Sequence, residues 1–328
     1  MSRNKKTKFI SINNLSFHLG LMNGDVQEWI KRDKPKIVQN HIGHEAVELK
    51  LLEEYSHSSG YMEALHKALV LENRAMEFDI PEMMVRHKEE KFGILESCRS
   101  YINDLENIHR KYRDLINSFG YESKFMAAYL LFSRIISTAK ICCLCQEHDH
   151  WYWASLLREI DEGSNLAEYF IIAGDSLEGK KHLHEWFRQN KAPTDSVCRK
   201  ILSEKLSTTN PDCSEENNLD LMDELYHHKS KFTHQTFWTI REITKFKITD
   251  GMAMIEKIEY GPIEYQRKLL ELSIFFRSNL IPCFASFIKC FQKLLLSQED
   301  LVSLCEISKK IMNEDEQAYL REHFIVSV

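Results

Sequence analysis

Glycine and proline are scarce in this sequence, with 11 and 6 residues among 328. These counts are about 3% and 2%, against averages of roughly 7% and 5%. Sandwiches, barrels and doubly wound sheets need a turn about every ten residues, and their turns rely on these two residues. No two glycines stand as Gly-x-Gly, so the dinucleotide-binding fingerprint is also missing. The shortage predicts an all-α protein, a multi-helix bundle.

An excess of positive charge is lacking as well. Lysine and arginine number 43 against 49 aspartates and glutamates, which gives a formal net charge of −6 and a pI near 6.2. This balance argues against nucleic-acid binding over the whole surface and leaves only a local basic site open. No secretory signal is recognisable, and the nine cysteines are an odd number. Reduced thiols and a cytoplasmic location are therefore expected.

Long uncharged apolar runs are rare, and only Ser273 to Leu296 resembles a membrane span. The stretch contains Arg277 and two lysines, and Pro282 is expected to break it. Because a charge near the bilayer centre costs at least about 2.5 kcal/mol, a buried C-terminal helix is favoured and no membrane partner is expected.

Apolar residues recur with the 3.6-residue period of an α-helix through most of the chain. The pattern predicts helices at 36–58, 61–79, 82–118, 122–147, 150–173, 176–190, 194–207, 217–245, 263–296 and 298–312. The polar stretch 207–218 reads as a linker. The residues from Phe125 to Leu144 are apolar nearly all round, which predicts a central helix.

A heptad pattern runs along the predicted helix 82–118, where apolar residues recur at alternating intervals of three and four residues. Its members are Cys98, Tyr101, Leu105, Ile108, Tyr112, Leu115 and Phe119. We call this row the heptad seam. Such a row packs against a second helix. Either a long helical hairpin within the chain or a dimeric coiled coil would satisfy it, and the hairpin is favoured.

Two motifs resemble phosphate or metal sites. Gly174 to Lys181 has the Gly-x4-Gly-Lys spacing of a phosphate loop, but a lysine stands where Ser or Thr should hold magnesium, so a turn between helices is favoured. Cys142, Cys143 and Cys145 lie in an apolar helix, where cysteine acts as a small hydrophobe. No cofactor is expected from either motif.

Pairs of the form Glu-x-x-His raise the question of a di-iron bundle. The pairs are Glu54/His57, Glu63/His66, Glu106/His109, Glu147/His150 and Glu224/His227. A di-iron site needs two such pairs and two further glutamates facing one bundle core. Most of these pairs fall on polar faces, so they read as solvated surface and no metal is predicted.

The segment Leu225 to Gln235 is the strongest candidate site. On a helix, His227, Lys231 and His234 share one face, and Ser230 lies one turn before His234. A cation, a hydroxyl and an imidazole together can bind a phosphodiester and move a proton, since histidine titrates near neutral pH. The alternative is a histidine-rich helix surface with a packing role.

Three blocks together resemble a bacterial all-helical family related to the HEPN superfamily of nucleotide-binding and RNA-cleaving helical domains. The blocks are Trp153-Ala-Ser-Leu-Leu-Arg-Glu-Ile-Asp-Glu162, then His184-Glu-Trp-Phe-Arg188 with Val197-Cys-Arg199, and Tyr226-His-His-Lys-Ser-Lys-Phe-Thr-His234. The likeness covers roughly 122–245. It implies a HEPN-like core, and it implies RNA as the partner of a homodimer that cleaves without metal.

The resemblance gives His234 the acid and base role at the ribose 2′-hydroxyl and at the leaving oxygen. Lys229 occupies the position of the family's arginine, which contacts the phosphate. Lysine keeps the charge but loses the bidentate fork of arginine. On a regular helix Lys229 and His234 also lie about 140° apart, so they converge only at a helix end or across a dimer.

Arg158 and Glu159 form the second polar group assigned to this site. Arg158 and Glu162 stand four residues apart and would also form an ordinary helical ion pair. Glu159 would either remain on the surface or orient His234 by accepting its second ring proton. The helix is expected to bury Trp153, Leu157, Ile160 and Ala167 on the opposite face.

The sequence thus predicts three regions and one leading function. The regions are 1–120 with a long helical hairpin, a HEPN-like core at 121–250, and C-terminal helices at 251–328. The leading function is RNA binding or metal-independent RNA cleavage, in a stress or phage-defence setting that follows from the resemblance. The alternative is a non-enzymatic helical interaction module that uses the heptad seam.

Overall fold

The structure is a computed structural model, and it confirms the all-α class for the residues it describes. These are residues 9–12, 15, 19, 21, 23–39, 45–77, 81–150, 152–209, 219, 222–223, 226, 244–249, 252–258, 266–292 and 297–312. The chain divides into two compact units. Unit 1 contains 1–79 and 206–260, and unit 2 contains 80–205 and 261–328.

Unit 1 combines helices with two small antiparallel sheets. Its elements are β1 (Phe9–Ser11), α1 (Asn23–Asp33), β2 (Ile37–Gln39), β3 (Glu45–Glu48), α2 (Leu49–Ser56), α3 (Ser59–Glu77), β4 (Thr244–Thr249) and β5 (Met252–Ile258). The strand order of the first sheet is β1-β3-β2, and β4 pairs with β5.

The strands correct two of the predicted helices. The helix predicted at 36–58 is wrong in its first half, because β2 and β3 occupy that part and α2 begins only at Leu49. The runs Ile37-Val38 and Ala46-Val47 are too short to reveal a period and are rich in β-branched residues, which favour strands. The helix predicted at 217–245 lies mostly outside the described residues, and its last two residues belong to β4.

The core of unit 1 joins α1, α2, α3 and β3 through large apolar side chains. Trp29 stacks on Tyr55 with ring centroids 4.6 Å apart, and Tyr55 meets Tyr61 edge to face at 5.7 Å. The other buried members of this cluster are Leu15, Leu19, Leu21, Val26, Val47, Leu52 and Leu65.

Unit 2 is helical throughout its described residues. Its elements are α4 (Pro81–Lys111), α5 (Arg113–Ser118), α6 (Lys124–Glu147), a 3-10 turn (Tyr152–Leu156), α7 (Leu157–Ala173), α8 (Leu177–Gln189), α9 (Asp195–Thr209), α10 (Gln266–Phe291) and α11 (Gln298–Ser308). Serine caps begin three of these helices. The hydroxyls of Ser123, Ser176 and Ser297 accept the N–H groups of Met126, Gly179 and Asp300.

Helix α6 contributes one face to the core of unit 2, although its apolar sequence predicts burial nearly all round. It packs against α7, α4 and α10. Phe132 of α6 meets Phe287 and Phe291 of α10 edge to face at 5.2 and 5.7 Å. Such aromatic pairs add about 0.5–1.5 kcal/mol each beyond the area they bury.

The heptad seam is packed within the chain for most of its length. Its first five members, from Cys98 to Tyr112, are buried, whereas Leu115 and Phe119 are 42% and 40% exposed. The helix predicted at 82–118 is interrupted at Tyr112, where α4 gives way to α5. Because α4 packs against α6 and α10, the buried part of the seam is an intramolecular contact.

Helix α10 passes through Pro282 without ending, so the predicted break is wrong. Proline removes one hydrogen bond to the preceding turn. Phe276 lies before it, Phe284 and Phe287 lie after it, and all three are fully buried. Their packing holds both halves of the helix against α4, α6 and α7, which offsets the lost bond.

Two helices in the described part of the chain are long and apolar enough to cross a membrane. They span Lys124–Glu147 and Leu269–Phe291, and 50% and 56% of the residues in their apolar windows are buried in the protein. Buried core helices have the same length and composition, and the C-terminal helix is buried as the sequence predicts.

Candidate functional site

Five of the seven predicted site residues lie outside the described residues. They are His227, Lys229, Ser230, Lys231 and His234, which belong to the Leu206–Tyr260 segment of unit 1. Arg158 and Glu159 are described, and both lie at the start of α7 in unit 2. The assignment of these seven residues to one pocket stays a prediction.

Arg158 is half-buried and forms the helical ion pair that its spacing predicts. Its Nε donates to Oε1 of Glu162 at 2.6 Å, one turn further along α7. Exposed pairs of this kind stabilise a helix by about 0.3–0.5 kcal/mol.

Glu159 connects α7 to α6. Its carboxylate accepts Nη2 of Arg134 at 2.9 Å and Oγ1 of Thr138 at 3.4 Å, and both residues belong to α6. The opposite face of α7 buries Leu157, Ile160 and Ala167, as predicted, and Trp153 is buried in the 3-10 turn that precedes α7. In the described part of the chain Glu159 therefore joins two helices.

The phosphate-loop lookalike is a turn between α7 and α8, which confirms the favoured interpretation. Ser176 caps α8, and Asp175 pairs with Lys124 of α6. A Cβ at Gly179 would lie 1.9 Å from the carbonyl oxygen of Ala173. This glycine therefore permits a close backbone approach between two helices, and the carboxylate of Asp175 stands where a phosphate loop would bind an anion.

The cysteine cluster of α6 is apolar in character. Cys142 and Cys143 are buried, and burial raises the pKa of both thiols, that of Cys143 to about 12. Burial also raises the pKa of Cys145. A thiol must lose its proton to bind zinc, so this environment opposes metal binding.

No group of three or more His, Cys, Asp or Glu side chains is placed to hold a metal ion in the part of the chain that the structure describes. The Glu-x-x-His pair Glu106/His109 illustrates why. Glu106 pairs with Arg110 and Lys140, whereas the buried ring of His109 stacks on Tyr129 and bonds to its carbonyl oxygen at 2.9 Å.

One arrangement of exposed side chains escaped the sequence reasoning. Helix α8 and the residue after its C-cap present Lys181, His184, Arg188 and Lys191 on one side, and the exposed ring of Tyr121 packs on Phe187 of the same helix. We call these four residues and Tyr121 the α8 surface. The spacing of three, four and three residues was the signal in the sequence, but Tyr121 lies 66 residues before Phe187 and gives none.

No protein-family model, no curated protein and no solved structure matches the chain. The HEPN resemblance is therefore carried by the three quoted blocks alone.

Proposed function

We propose that this protein binds RNA and cleaves it without a metal ion, with His234 as the acid and base. The observation that carries the proposal is the placement of Lys229, Ser230, Lys231 and His234 within six residues. This segment combines positive charge for a phosphodiester with a side chain that exchanges protons near neutral pH.

The chemistry follows from the structure of RNA. The imidazole of His234 takes the proton of the ribose 2′-hydroxyl, whose oxygen attacks the adjacent phosphorus. The bond from phosphorus to the 5′-oxygen breaks, and the leaving oxygen receives a proton from an imidazolium. The products are a 2′,3′-cyclic phosphate and a 5′-hydroxyl. Such general acid and base catalysis contributes about 10²- to 10⁴-fold to a rate.

Lys229 contacts the phosphate in this proposal, and the hydroxyl of Ser230 assists His234 at the reacting phosphodiester. Lys231 and His227 bind the substrate around them. Lysine acts as a point charge and supplies no bidentate fork, so its grip on the phosphate is weaker than that of an arginine. The proposed setting in stress or phage defence, the homodimer and the cytoplasmic location come from the resemblance and the composition.

Cleavage of a defined oligonucleotide in EDTA tests the proposal. The substrate has a single ribose in a DNA strand, so one bond alone can be cut through a 2′-hydroxyl. We expect the unaltered chain to release a fragment with a 2′,3′-cyclic phosphate and His234→Ala to lose this activity. His57→Ala is the matched control, because His57 is exposed at the end of α2. Equal cutting by His234→Ala and the unaltered chain would contradict the proposal.

A helical interaction module is the second candidate, and one observation favours it. The outer face of α6 exposes Leu130, Ile141 and Leu144 at 43%, 49% and 56%. Exposed apolar side chains at helical spacing are typical of contact surfaces. With the first five seam residues packed inside the chain, this face is the better surface for a partner. Sedimentation of Ile141→Asp and Leu144→Asp beside the unaltered chain tests self-association through it.

A further inference from the structure

The outward side of α8 carries a row of positive side chains. Lys181, His184 and Arg188 follow steps of three and four residues, and Lys191 continues the row just after the C-cap Asn190. Their side chains are 70%, 59%, 61% and 69% exposed. One cationic or titratable group therefore faces solvent on each turn.

The aromatic component is Tyr121, which is 70% exposed. Its ring centroid lies 5.0 Å from that of Phe187, and Phe187 packs at 4.8 Å on Trp186. The ring is thus supported on one side by α8 and open to solvent elsewhere. A supported, exposed ring offers a face on which a nucleobase can stack.

Glu122 fixes this ring beside the cations. Its carboxylate pairs with Nε of Arg188 and lies 3.6 Å from Nδ1 of His184. The flanking backbone adopts positive φ at Gly120 (83°) and Glu122 (69°), which turns the loop sharply. The Arg188 guanidinium holds the pKa of Glu122 below its ordinary value, so this link stays charged.

The two carboxylates that pair with the cations of the α8 surface are less exposed than those cations. Glu122 and Glu185 are 25% and 15% exposed, and Glu185 lies 3.8 and 3.9 Å from Lys181 and Lys191. Glu178 is exposed in the first turn of α8, and Asp175 before it pairs with Lys124. Lys180 adds a further exposed cation. The exposed charges of the α8 surface itself are therefore positive, whereas the exposed acids Asp175 and Glu178 lie beside it at the start of α8. The whole chain has a net charge of −6.

We propose that the α8 surface docks single-stranded RNA, with phosphates at Lys181, Arg188 and Lys191 and a base stacked on Tyr121. This inference rests on the proposed function and names where the substrate strand contacts unit 2. An acidic protein would satisfy the cations but has no need of the aromatic ring, whereas unstacked bases combine a flat face with a nearby phosphate. The ring thus selects single-stranded nucleic acid as the occupant.

Fluorescence anisotropy of a labelled 12-nucleotide 2′-O-methylated RNA tests the surface, because this probe binds but has no 2′-hydroxyl for cleavage. We expect Tyr121→Ala to weaken binding about 5-fold or more and Tyr121→Phe to retain it. Lys181→Ala is expected to lower the slope of log affinity against log salt by about 0.7, the value for one single-strand phosphate contact.

Two control variants match these changes elsewhere on unit 2. Phe92→Ala removes an aromatic ring that is 60% exposed on α4. Lys200→Ala removes a lysine that is 64% exposed on α9 and lies 3.8 Å from Glu204, one turn further on, as Lys181 lies 3.8 Å from Glu185. Both are expected to bind as the unaltered chain does. Unchanged circular dichroism shows that each variant is folded.

Three results would overturn the inference. The first is that the unaltered chain does not bind the probe. The second is that Tyr121→Ala and Lys181→Ala both bind the probe as tightly as the unaltered chain does. The third is that polyglutamate binds as tightly as the probe and that its binding does not depend on Tyr121. The cleavage assay with His234→Ala separates this inference from the proposed function. Cutting that depends on His234, with probe binding indifferent to Tyr121 and Lys181, contradicts the surface alone. Probe binding that depends on Tyr121, with cutting indifferent to His234, contradicts the cleavage alone.

Discussion

Gly179 and Gly93 occupy opposite environments for an added methyl group. A Cβ at Gly179 would lie 1.9 Å from the carbonyl oxygen of Ala173, whereas a Cβ at Gly93 on α4 has no atom within 4 Å. We expect Gly179→Ala to lower the free energy of unfolding by about 3 kcal/mol, because the turn between α7 and α8 must shift. Gly93→Ala should raise it by about 0.5–1 kcal/mol through helix propensity. Urea unfolding measures both, and equal effects would contradict the packing at Gly179.

His109 makes stability depend on pH. Burial lowers the pKa of this ring, and the bond to the Tyr129 carbonyl only partly opposes that effect. Below about pH 6.5 the unfolded chain takes up a proton that the folded chain does not, so stability falls with pH, by at most about 1.4 kcal/mol per unit from one group.

We therefore expect His109→Gln to lose less stability than the unaltered chain between pH 7 and pH 5.5. Glutamine retains a donor for the Tyr129 carbonyl but takes up no proton in this range. Chemical unfolding at both pH values measures the difference. His57→Gln should behave as the unaltered chain, because His57 is exposed. An identical pH dependence for His109→Gln and the unaltered chain would show that the His109 ring binds its proton equally well in the folded and unfolded states.

Substitutions of Lys229 test the proposed contact with the phosphate, which the removal of His234 does not address. Lys229→Arg restores the bidentate fork and should raise the cleavage rate several-fold, whereas Lys229→Gln should lower it by at least about tenfold. The single-ribose substrate measures both rates. Equal rates for arginine and glutamine at this position would show that residue 229 has no contact with the phosphate.

At the scale of elements, hydrogen bonds of Asp300 connect α11 to the junction of α4 and α5. Its carboxylate accepts the hydroxyl of Tyr112 and Nζ of Lys111, the latter at 2.7 Å, and it completes a capping box with Ser297. These bonds join residues almost 190 positions apart in the chain. Asp300 itself is 6% exposed.

We expect Asp300→Ala to lower the free energy of unfolding by about 3 kcal/mol. The change removes the carboxylate that completes the capping box with Ser297 and leaves the Tyr112 hydroxyl without its acceptor. Asp114→Ala is the matched control, because Asp114 is 87% exposed, and its effect should stay within about 0.5 kcal/mol. Thermal unfolding followed by circular dichroism compares the two variants. If Asp300→Ala loses no more stability than Asp114→Ala does, the bonds of Asp300 to Tyr112 and Lys111 do not stabilise the fold.

The elements that the sequence predicts well are those with a clear period and an end signal. Helix α6 was expected at 122–147 and spans Lys124–Glu147, with Ser123 as its cap. The strands β2 and β3 were missed because three or four residues contain too little of a period to distinguish strand from helix. The break expected at Pro282 was wrong because the aromatic packing on both sides is a tertiary effect.

At the scale of the whole molecule, the candidate sites were also predictable only where local spacing along one helix determines the contact. The pair Arg158/Glu162 was predictable because four residues on one helix fix its geometry. The link between Glu122 and Arg188 was not, since these residues are 66 positions apart and only the packing of α8 on the loop before α6 brings them together. The α8 surface follows from tertiary structure, and residue spacing reveals only its cationic half.

RNA docking and RNA cleavage can be tested separately, because the α8 surface belongs to unit 2 and His234 falls in the 206–260 segment of unit 1. Unit 2 has its own core, built from α4, α6, α7 and α10. A chain of residues 80–328, with 210–260 replaced by about 20 Gly and Ser residues, gives α9 and α10 a tether with a mean span of roughly 25 Å. We expect it to unfold cooperatively, to bind the 2′-O-methylated RNA as the full chain does, and to cleave nothing. Urea unfolding, anisotropy and the single-ribose assay measure the three properties. A shortened chain that folds cooperatively but fails to bind the probe would show that the α8 surface is insufficient for docking.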